Sequence, residues 1–289
     1  MTEASFRPRR SVLFLPASNP RALEKARTLA CDVVAIDLED AVAPDLKAQA
    51  RDAVVAAIAP GGFGRRELVV RVNGLDTPWG EADLKAMAQA GPDAVLVPKI
   101  TDAGDVTRYD SRLSQAPDHT RLWVMIETAR SLFHLDGIAA ASRNTRLAGM
   151  MVGPNDLARE TGAVLSGARE PFWAALSLTV AAAHAYGVVA IDGVFNSLED
   201  ADGLARECAQ ARAFGFDGKS LIHPNQIAPC NAAFAPSAEE LAWAAEVIAA
   251  FASPENDGRG ALRVQGKMVE RLHLIQAERL IAAARADEA

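Results

Sequence analysis

Eight short apolar runs rich in Val, Ile and Leu recur along the chain, at Ser11–Pro16, residues 33–38, 68–72, 94–98 and 122–126, Leu147–Val152, and residues 188–191 and 216–222. Most are continuous rather than alternating, which is the pattern of parallel strands covered on both faces. Helical stretches lie between them. Asn19 can cap a helix over residues 19–30 with Pro20 in its first turn, and a second helix is expected over residues 45–58. Strand alternating with helix eight times predicts an α/β fold, a (β/α)₈ TIM-type barrel; a doubly wound sheet is the alternative.

The chain continues well past the eighth run. Ser237-Ala-Glu-Glu240 reads as a capping box opening a helix to about residue 251, followed by a Pro/Gly/Asn/Asp-rich loop over residues 253–266. A last amphipathic helix is expected over residues 268–284, its stripe formed by Met268, Leu272, Ile275, Leu280 and Ile281. No strand is expected in this tail. The division that follows is a barrel catalytic domain over residues 1–230 and a C-terminal helical extension, or lid, over residues 231–289.

With 289 residues, half of them hydrophobic and 23% charged, the chain has the composition of a globular protein rather than a disordered or fibrous one. A net charge of -7 argues against a nucleic-acid partner. Cys31, Cys208 and Cys230 are too few and too scattered for a disulfide framework or a zinc cluster, so a cytoplasmic protein is expected. Residues 172–191 lack Asp, Glu, Lys and Arg, but His184 and Gly187 divide them into a buried helix and a strand, so no membrane span is expected. Two glycine-containing segments are near misses for phosphate-binding motifs. The segment Ala213-Phe-Gly-Phe-Asp-Gly-Lys-Ser220 lacks the first P-loop glycine, and Gly61-Gly-Phe-Gly64 lacks a preceding strand.

In a barrel, chemistry sits at the C-terminal ends of the strands. Here those ends are polar: Asp37-Leu-Glu39-Asp40, Arg71-Val-Asn73, Lys99, Glu127, Gly153-Pro-Asn-Asp156, Asp192, and Lys219 leading to His223. Glu127 and Asp156 follow consecutive strands, so their carboxylates can share one ion, and oxygen ligands suit Mg²⁺. The plain alternative is that Glu127 caps a turn and Asp156 opens a helix. Arg71 leaves an apolar strand, which aims its fork at carboxylate or enolate oxygens. An ion pair with Glu39 or Asp40 is compatible with that role, because a carboxylate behind an arginine fixes its orientation. Lys99 and Lys219 suit either a Schiff base or a structural cation among so many carboxylates. His223 suits either an acid/base role or a hydrogen-bonded turn.

At these residues the sequence resembles the citrate lyase β-subunit-like branch of the HpcH/HpaI aldolase family. The matching segments include Arg10-Ser-Val-Leu-Phe-Leu-Pro16, Ile36-Asp-Leu-Glu-Asp-Ala-Val42, Arg71-Val-Asn73, Val97-Pro-Lys99 and Ile126-Glu-Thr-Ala129. They continue through Gly153-Pro-Asn-Asp-Leu157, Gly215-Phe-Asp-Gly-Lys219, Ile222-His-Pro-Asn-Gln226 and Gly266-Lys-Met268. The resemblance implies a metal-dependent carbon–carbon lyase of β-hydroxyacyl thioesters such as malyl-, citramalyl- or citryl-CoA. Its partners would be an acyl-CoA thioester and a 2-oxo acid, with neither nucleic acid nor membrane, in a homotrimer or homohexamer. By position, Glu127 and Asp156 match the Mg²⁺ ligands, with Mn²⁺ as the alternative ion. Arg71 matches the residue that holds the oxo-acid, and Glu39 and Asp40 match the acids around it. Asn73 and Lys99 join Arg71 and Glu127 as expected substrate contacts. The tail matches a lid able to reach a neighbour's site, and its acid is Glu270, within Val269-Glu-Arg-Leu272. Two other functions stand beside this one: a Schiff-base aldolase using Lys99 or Lys219, and a non-catalytic acyl-CoA-binding or scaffold subunit.

Overall fold

The computed structural model describes residues 7–288. Eight parallel strands close in chain order into a barrel: β1 (Ser11–Pro16), β2 (Val33–Asp37), β3 (Glu67–Arg71), β4 (Ala94–Val97), β5 (Arg121–Ile126), β6 (Leu147–Val152), β7 (Val189–Asp192) and β8 (Gly218–Leu221). Closure is made by β1 against β8, where Val12 pairs with Ser220, so the expected TIM-type barrel forms and the doubly wound sheet does not. Each strand falls within two residues of an apolar run.

The barrel interior and the strand–helix layer are filled by alternate residues of the same strands. Val33 and Ala35 of β2, Val69 of β3 and Trp123 and Met125 of β5 pack together inside the barrel. Val34, Ile36, Val70 and Val124 belong instead to the outer core beneath the helices. Continuing the inward alternation by one step carries Asp37, Arg71 and Glu127 to the barrel mouth. The opposite end is plugged. Arg9 pairs with Glu67 and stands 5.7 Å over the Trp123 ring, and Gly149 makes room for that ring, because a Cβ there would come within 2.6 Å of it.

Asn19 caps the first helix as expected, accepting from the Ala22 N–H at 3.1 Å, but that helix spans only Pro20–Ala26. The stretch without charged residues forms the helix Trp173–Ala185 and then β7. Among the described residues no helix is long and apolar enough to cross a membrane.

Residues 9–234 and residues 7–8 with 235–288 are two compact units. The second unit opens with the helix Ala238–Ala252, whose capping box is complete: Ser237 accepts from Glu240 N–H at 3.1 Å and Glu240 accepts from Ser237 N–H at 2.7 Å. Its middle corrects the sequence reading. In place of a loop and a helix from residue 268, an antiparallel hairpin joins β9 (Ala261–Val264) to β10 (Lys267–Glu270), and the last helix starts at Arg271 and runs to Glu288. Gln265 and Gly266 are both left-handed, at φ 45° and 81°, the twist a two-residue hairpin turn needs. Leu262, Val264 and Val269 bury on one face with Ala244, Val247 and Ala277. The expected apolar stripe is correspondingly broken, since Met268 is on the hairpin and 71% exposed, while Leu272 and Ile275 are half exposed.

Candidate active site

Arg71 is buried and gripped by acids from the end of β2. Its Nε and Nη2 donate to the two oxygens of Asp37, both at 2.7 Å, and Nη1 lies 2.9 Å from Glu39 Oε2 and 3.6 Å from Asp40. The Glu39 contact is an ion pair without hydrogen-bond geometry, since Oε2 is buried and accepts from no donor. Nη1 therefore retains donors for a ligand oxygen. The Phe14 ring faces the guanidinium at 5.1 Å. Asp37 is fixed in turn by accepting from the Glu39 and Ala41 backbone N–H groups at 2.8 and 3.0 Å. Burial alone would raise the Asp37 pKa, but the charge and hydrogen bonds of Arg71 outweigh it and leave the carboxyl below its usual range. Burial acts against the charge of Arg71 as well, and Asp37 and Glu39 reverse the effect, so the guanidinium is held fully charged.

Lys99 follows β4 in a left-handed conformation, φ 51°, uncommon for a residue with a side chain. The twist presents its backbone N–H to Glu127 Oε1 at 2.8 Å while its ammonium pairs with Glu39. Asn73 is committed elsewhere: its Nδ2 donates to Leu38 O at 2.9 Å and Asp83 Oδ2 at 2.6 Å. Lys47, which no sequence signal singled out, donates to the carbonyls of Leu38 and Glu39 at 2.8 and 2.6 Å and so fixes the same turn.

Glu127 is 1% exposed. Burial, reinforced by the nearby charge of Glu39, pushes its carboxyl up to about 7. Gly153, at the end of β6, lies directly against it, and a Cβ there would collide with both Glu127 Cβ and Oε2. The following helix, Pro154–Thr161, carries Asp156 in its first turn, paired with the exposed Arg159 one turn on. Because Arg159 reaches it from solvent, the pair is weak and readily exchanged. Among the described residues no three His, Cys, Asp or Glu side chains form a complete metal cage. A two-carboxylate, oxygen-only set matches an ion that keeps several waters, as Mg²⁺ does, and an added cation would offset the excess of Asp37, Glu39, Asp40, Glu127 and Asp156 over Arg71 and Lys99. The residues present therefore fit a hard divalent cation at Glu127 and Asp156.

A cavity of about 400 Å³ opens at this end of the barrel, and Asp37, Asp40, Arg71, Glu127 and Asp156 all line it. Of the four expected substrate contacts, Arg71 and Glu127 line the cavity and Asn73 and Lys99 are not among its lining residues; Glu39 stands behind Arg71, as expected of an acid around it. Asn155 and Asn196 also line the cavity and exchange amide hydrogen bonds at 2.8 and 3.4 Å. Asn155 sits inside the Gly153-Pro-Asn-Asp156 segment noted from sequence, whereas nothing in the sequence distinguished Asn196.

Lys219 is fully buried and donates to Asp192 at 2.8 Å and to Glu207 and the Gly193 carbonyl at 2.5 Å. Arg169, itself left-handed and buried, completes the cluster, its Nη1 donating to both oxygens of Asp192 at 2.8 and 2.9 Å. Burial favours a neutral lysine, but the Asp192 and Glu207 charges outweigh it and raise the Lys219 pKa. Lys99 is raised as well, its bond to Glu39 overcoming burial. Both shifts oppose the free amine that a Schiff base requires. His223 Nδ1 accepts from the Asn225 N–H at 3.2 Å, a turn-capping histidine outside the cavity. Glu270 lies in the second compact unit at the end of β10, where its backbone N–H donates to His273.

Residues 10–224 match the family model described as HpcH/HpaI aldolase/citrate lyase. A (3S)-malyl-CoA thioesterase of Cereibacter sphaeroides is 46% identical over 279 residues, covering 96% of this chain and 95% of that protein. An L-malyl-CoA/beta-methylmalyl-CoA lyase of the same species is 35% identical over 301 residues, covering 95% and 94%. Among solved structures, the protein CitE from Mycobacterium tuberculosis in complex with magnesium, acetoacetate and coenzyme A superposes with a TM-score of 0.78 at 34% identity, covering 96% of this chain and 98% of that one.

Proposed function

The chain belongs to the HpcH/HpaI aldolase/citrate lyase family, and from that premise we propose that it is a Mg²⁺-dependent enzyme cleaving, or in reverse forming, the carbon–carbon bond of a β-hydroxyacyl-CoA thioester of the malyl-CoA type. The products are a 2-oxo acid and an acyl-CoA, acetyl-CoA for an unbranched acyl chain. One observation carries this reading: a clamped guanidinium, Arg71, shares a single cavity with the carboxylates of Glu127 and Asp156. In this assignment Glu127 and Asp156 hold the metal, which when bound supplies Lewis-acid polarisation of the substrate's hydroxyl and carboxylate oxygens. Arg71 orients the carboxylate end. As the hydroxyl gives up its proton and becomes the 2-oxo group, the carbon–carbon bond breaks and its electron pair forms the thioester enolate. Arg71 offers N–H donors to the developing charge until the enolate carbon takes up a proton to give the acyl-CoA. Asp37, Glu39 and Asp40 keep the fork aimed, and Lys99 holds Glu127 through its backbone N–H and Glu39 through its ammonium.

The relative at 46% identity favours a second reading of the same site, hydrolysis of the thioester. Water then adds to the thioester carbonyl and the thiol leaves, giving a hydroxy acid and free CoA. Glu270 is assigned to this choice as an acid contributed by a neighbouring chain in a homotrimer or homohexamer. Sedimentation of a fully active monomer would remove that assignment.

The test is a screen of purified full-length protein with malyl-, citramalyl- and citryl-CoA and Mg²⁺, with 2-oxo acid and free thiol recorded separately. Mg²⁺-dependent 2-oxo acid is expected. Thiol release without 2-oxo acid would replace lyase by thioesterase, and neither product would leave a binding subunit. In the same screen Glu270→Gln is expected to lower thiol release more than 2-oxo acid formation.

A further inference from the structure

Asp192 of β7 and Lys219 of β8 are paired in register, and neither is among the residues lining the cavity. Ser220, the next residue, does line it, so by the alternation of a strand Lys219 points outward, behind the wall. There the helix Ala201–Phe214 brings Glu207 against it. The cluster they form with Arg169 holds two cations and two carboxylates, so it lends the site no net charge. Buried clusters of this kind are commonly no more stable than apolar side chains of similar volume. What Lys219 supplies that an apolar side chain cannot is a hydrogen bond to the main chain. Of the three N–H groups on its ammonium, two serve the carboxylates of Asp192 and Glu207, and the third donates to the Gly193 carbonyl at 2.5 Å.

Gly193 is the first residue beyond β7, and it touches the segment that carries Asp156. A Cβ on it would come within 2.2 Å of Pro154 Cδ and 2.9 Å of the Val152 carbonyl oxygen, so no free space separates the two. On the other side, a Cβ on Gly153 would come within 2.4 Å of Glu127 Oε2. Gly153-Pro154 is therefore wedged between Gly193 and Glu127, and Pro154 opens the helix whose third residue is Asp156. Asn196 adds a second tie, donating to Asn155 Oδ1 at 2.8 Å. Resting on the metal site of the function proposed above, we infer that Lys219 is a positioning residue for that site. By holding the Gly193 carbonyl it keeps the segment after β7 against Pro154, and so fixes where Asp156 stands relative to Glu127.

The test reads Mn²⁺ affinity of the full chain and needs no turnover. Lys219→Met combined with Glu207→Gln keeps the cluster neutral, leaves Arg169 paired with Asp192, and removes the hold on Gly193. Neutral replacement of a buried pair is usually tolerated by the fold. This double variant is expected to bind Mn²⁺ about tenfold more weakly, the scale of losing a group that orients a metal ligand. Gly193→Ala leaves the cluster untouched but drives a methyl group into Pro154, and it too should weaken Mn²⁺ binding. Because both act through one contact, the three substitutions together should cost less than the product of the two separate losses. A role confined to stability would lower the melting temperature in EDTA and leave Mn²⁺ affinity as it was. Undiminished affinity in either variant, or losses that simply multiply, would overturn the inference, and Gly193→Ala decides alone where the double variant does not fold. A wild-type chain that binds no Mn²⁺ removes the metal site and the inference with it. Absent turnover of malyl-CoA with both affinity losses intact removes the lyase reading alone.

Discussion

Glu127→Gln and Asp156→Asn are each expected to abolish Mg²⁺-dependent turnover while leaving the melting temperature of the metal-free protein nearly unchanged. Both changes keep the side chain's volume and remove its charge. At position 127 the metal-free fold has no need of that charge. Burial and Glu39 push the carboxyl up to about 7, so the folded chain binds a proton there more tightly than the unfolded chain does. A raised carboxyl pKa stabilises the fold below the ordinary carboxylate range, and that stability is lost as pH rises through about 7. Above neutrality the metal-free wild type therefore carries a penalty that Gln lacks, and Glu127→Gln should melt no lower than wild type at pH 8. The amide oxygen can still accept from the Lys99 N–H. What neither variant retains is the pair of anionic oxygens a hard cation requires. The check is steady-state turnover of malyl-CoA beside thermal melts in EDTA. Most of the activity surviving in either variant would remove that residue from the metal site.

Arg71→Lys is expected to lower turnover by roughly 10²-fold or more, the scale of losing one preorganised donor to a developing oxyanion. The substitution keeps the positive charge, so the loss reports geometry. A planar fork spans both Asp37 oxygens at 2.7 Å each and keeps a third nitrogen, Nη1, beside Glu39, whereas an ammonium is a single nitrogen that cannot reproduce that spacing of donors. The expected signature is a fall in kcat exceeding any rise in KM, because the donors matter most as charge develops. Near-normal kinetics would make Arg71 a structural partner of Asp37 and Glu39 and nothing more.

The barrel and its mouth were legible in the sequence for one reason. Parallel strands covered on both faces must be apolar until they emerge, so the residue at which polarity begins marks the rim. Asp37, Arg71 and Glu127 follow Ala35, Val69 and Met125 by two, and the alternation that fills the interior also delivers these three to the cavity. Residue type alone could not separate the wall from what stands behind it. Asn73 and Lys99 also end strands, yet Asn73 is tied to Leu38 and Asp83, and Lys99 turns its backbone rather than its ammonium to Glu127. Lys219 does not end its strand but is the second residue of β8, and it fits into an ion cluster with Asp192, Glu207 and Arg169. The hairpin of β9 and β10 was missed because its alternation is short and its turn, Gln265-Gly266, lacks the Asn or Asp that usually announces one. The charged and polar residues between its three buried apolar positions read as loop.

The central claim is that Glu127 and Asp156 together hold one divalent ion beside Arg71. Titration of the full chain with Mn²⁺, followed by the loss of the free-ion electron paramagnetic resonance signal, tests it without reference to any substrate. The expected result is a single site per chain in the wild type, emptied by competing Mg²⁺ and absent from both Glu127→Gln and Asp156→Asn. A site of undiminished affinity in both variants would contradict it.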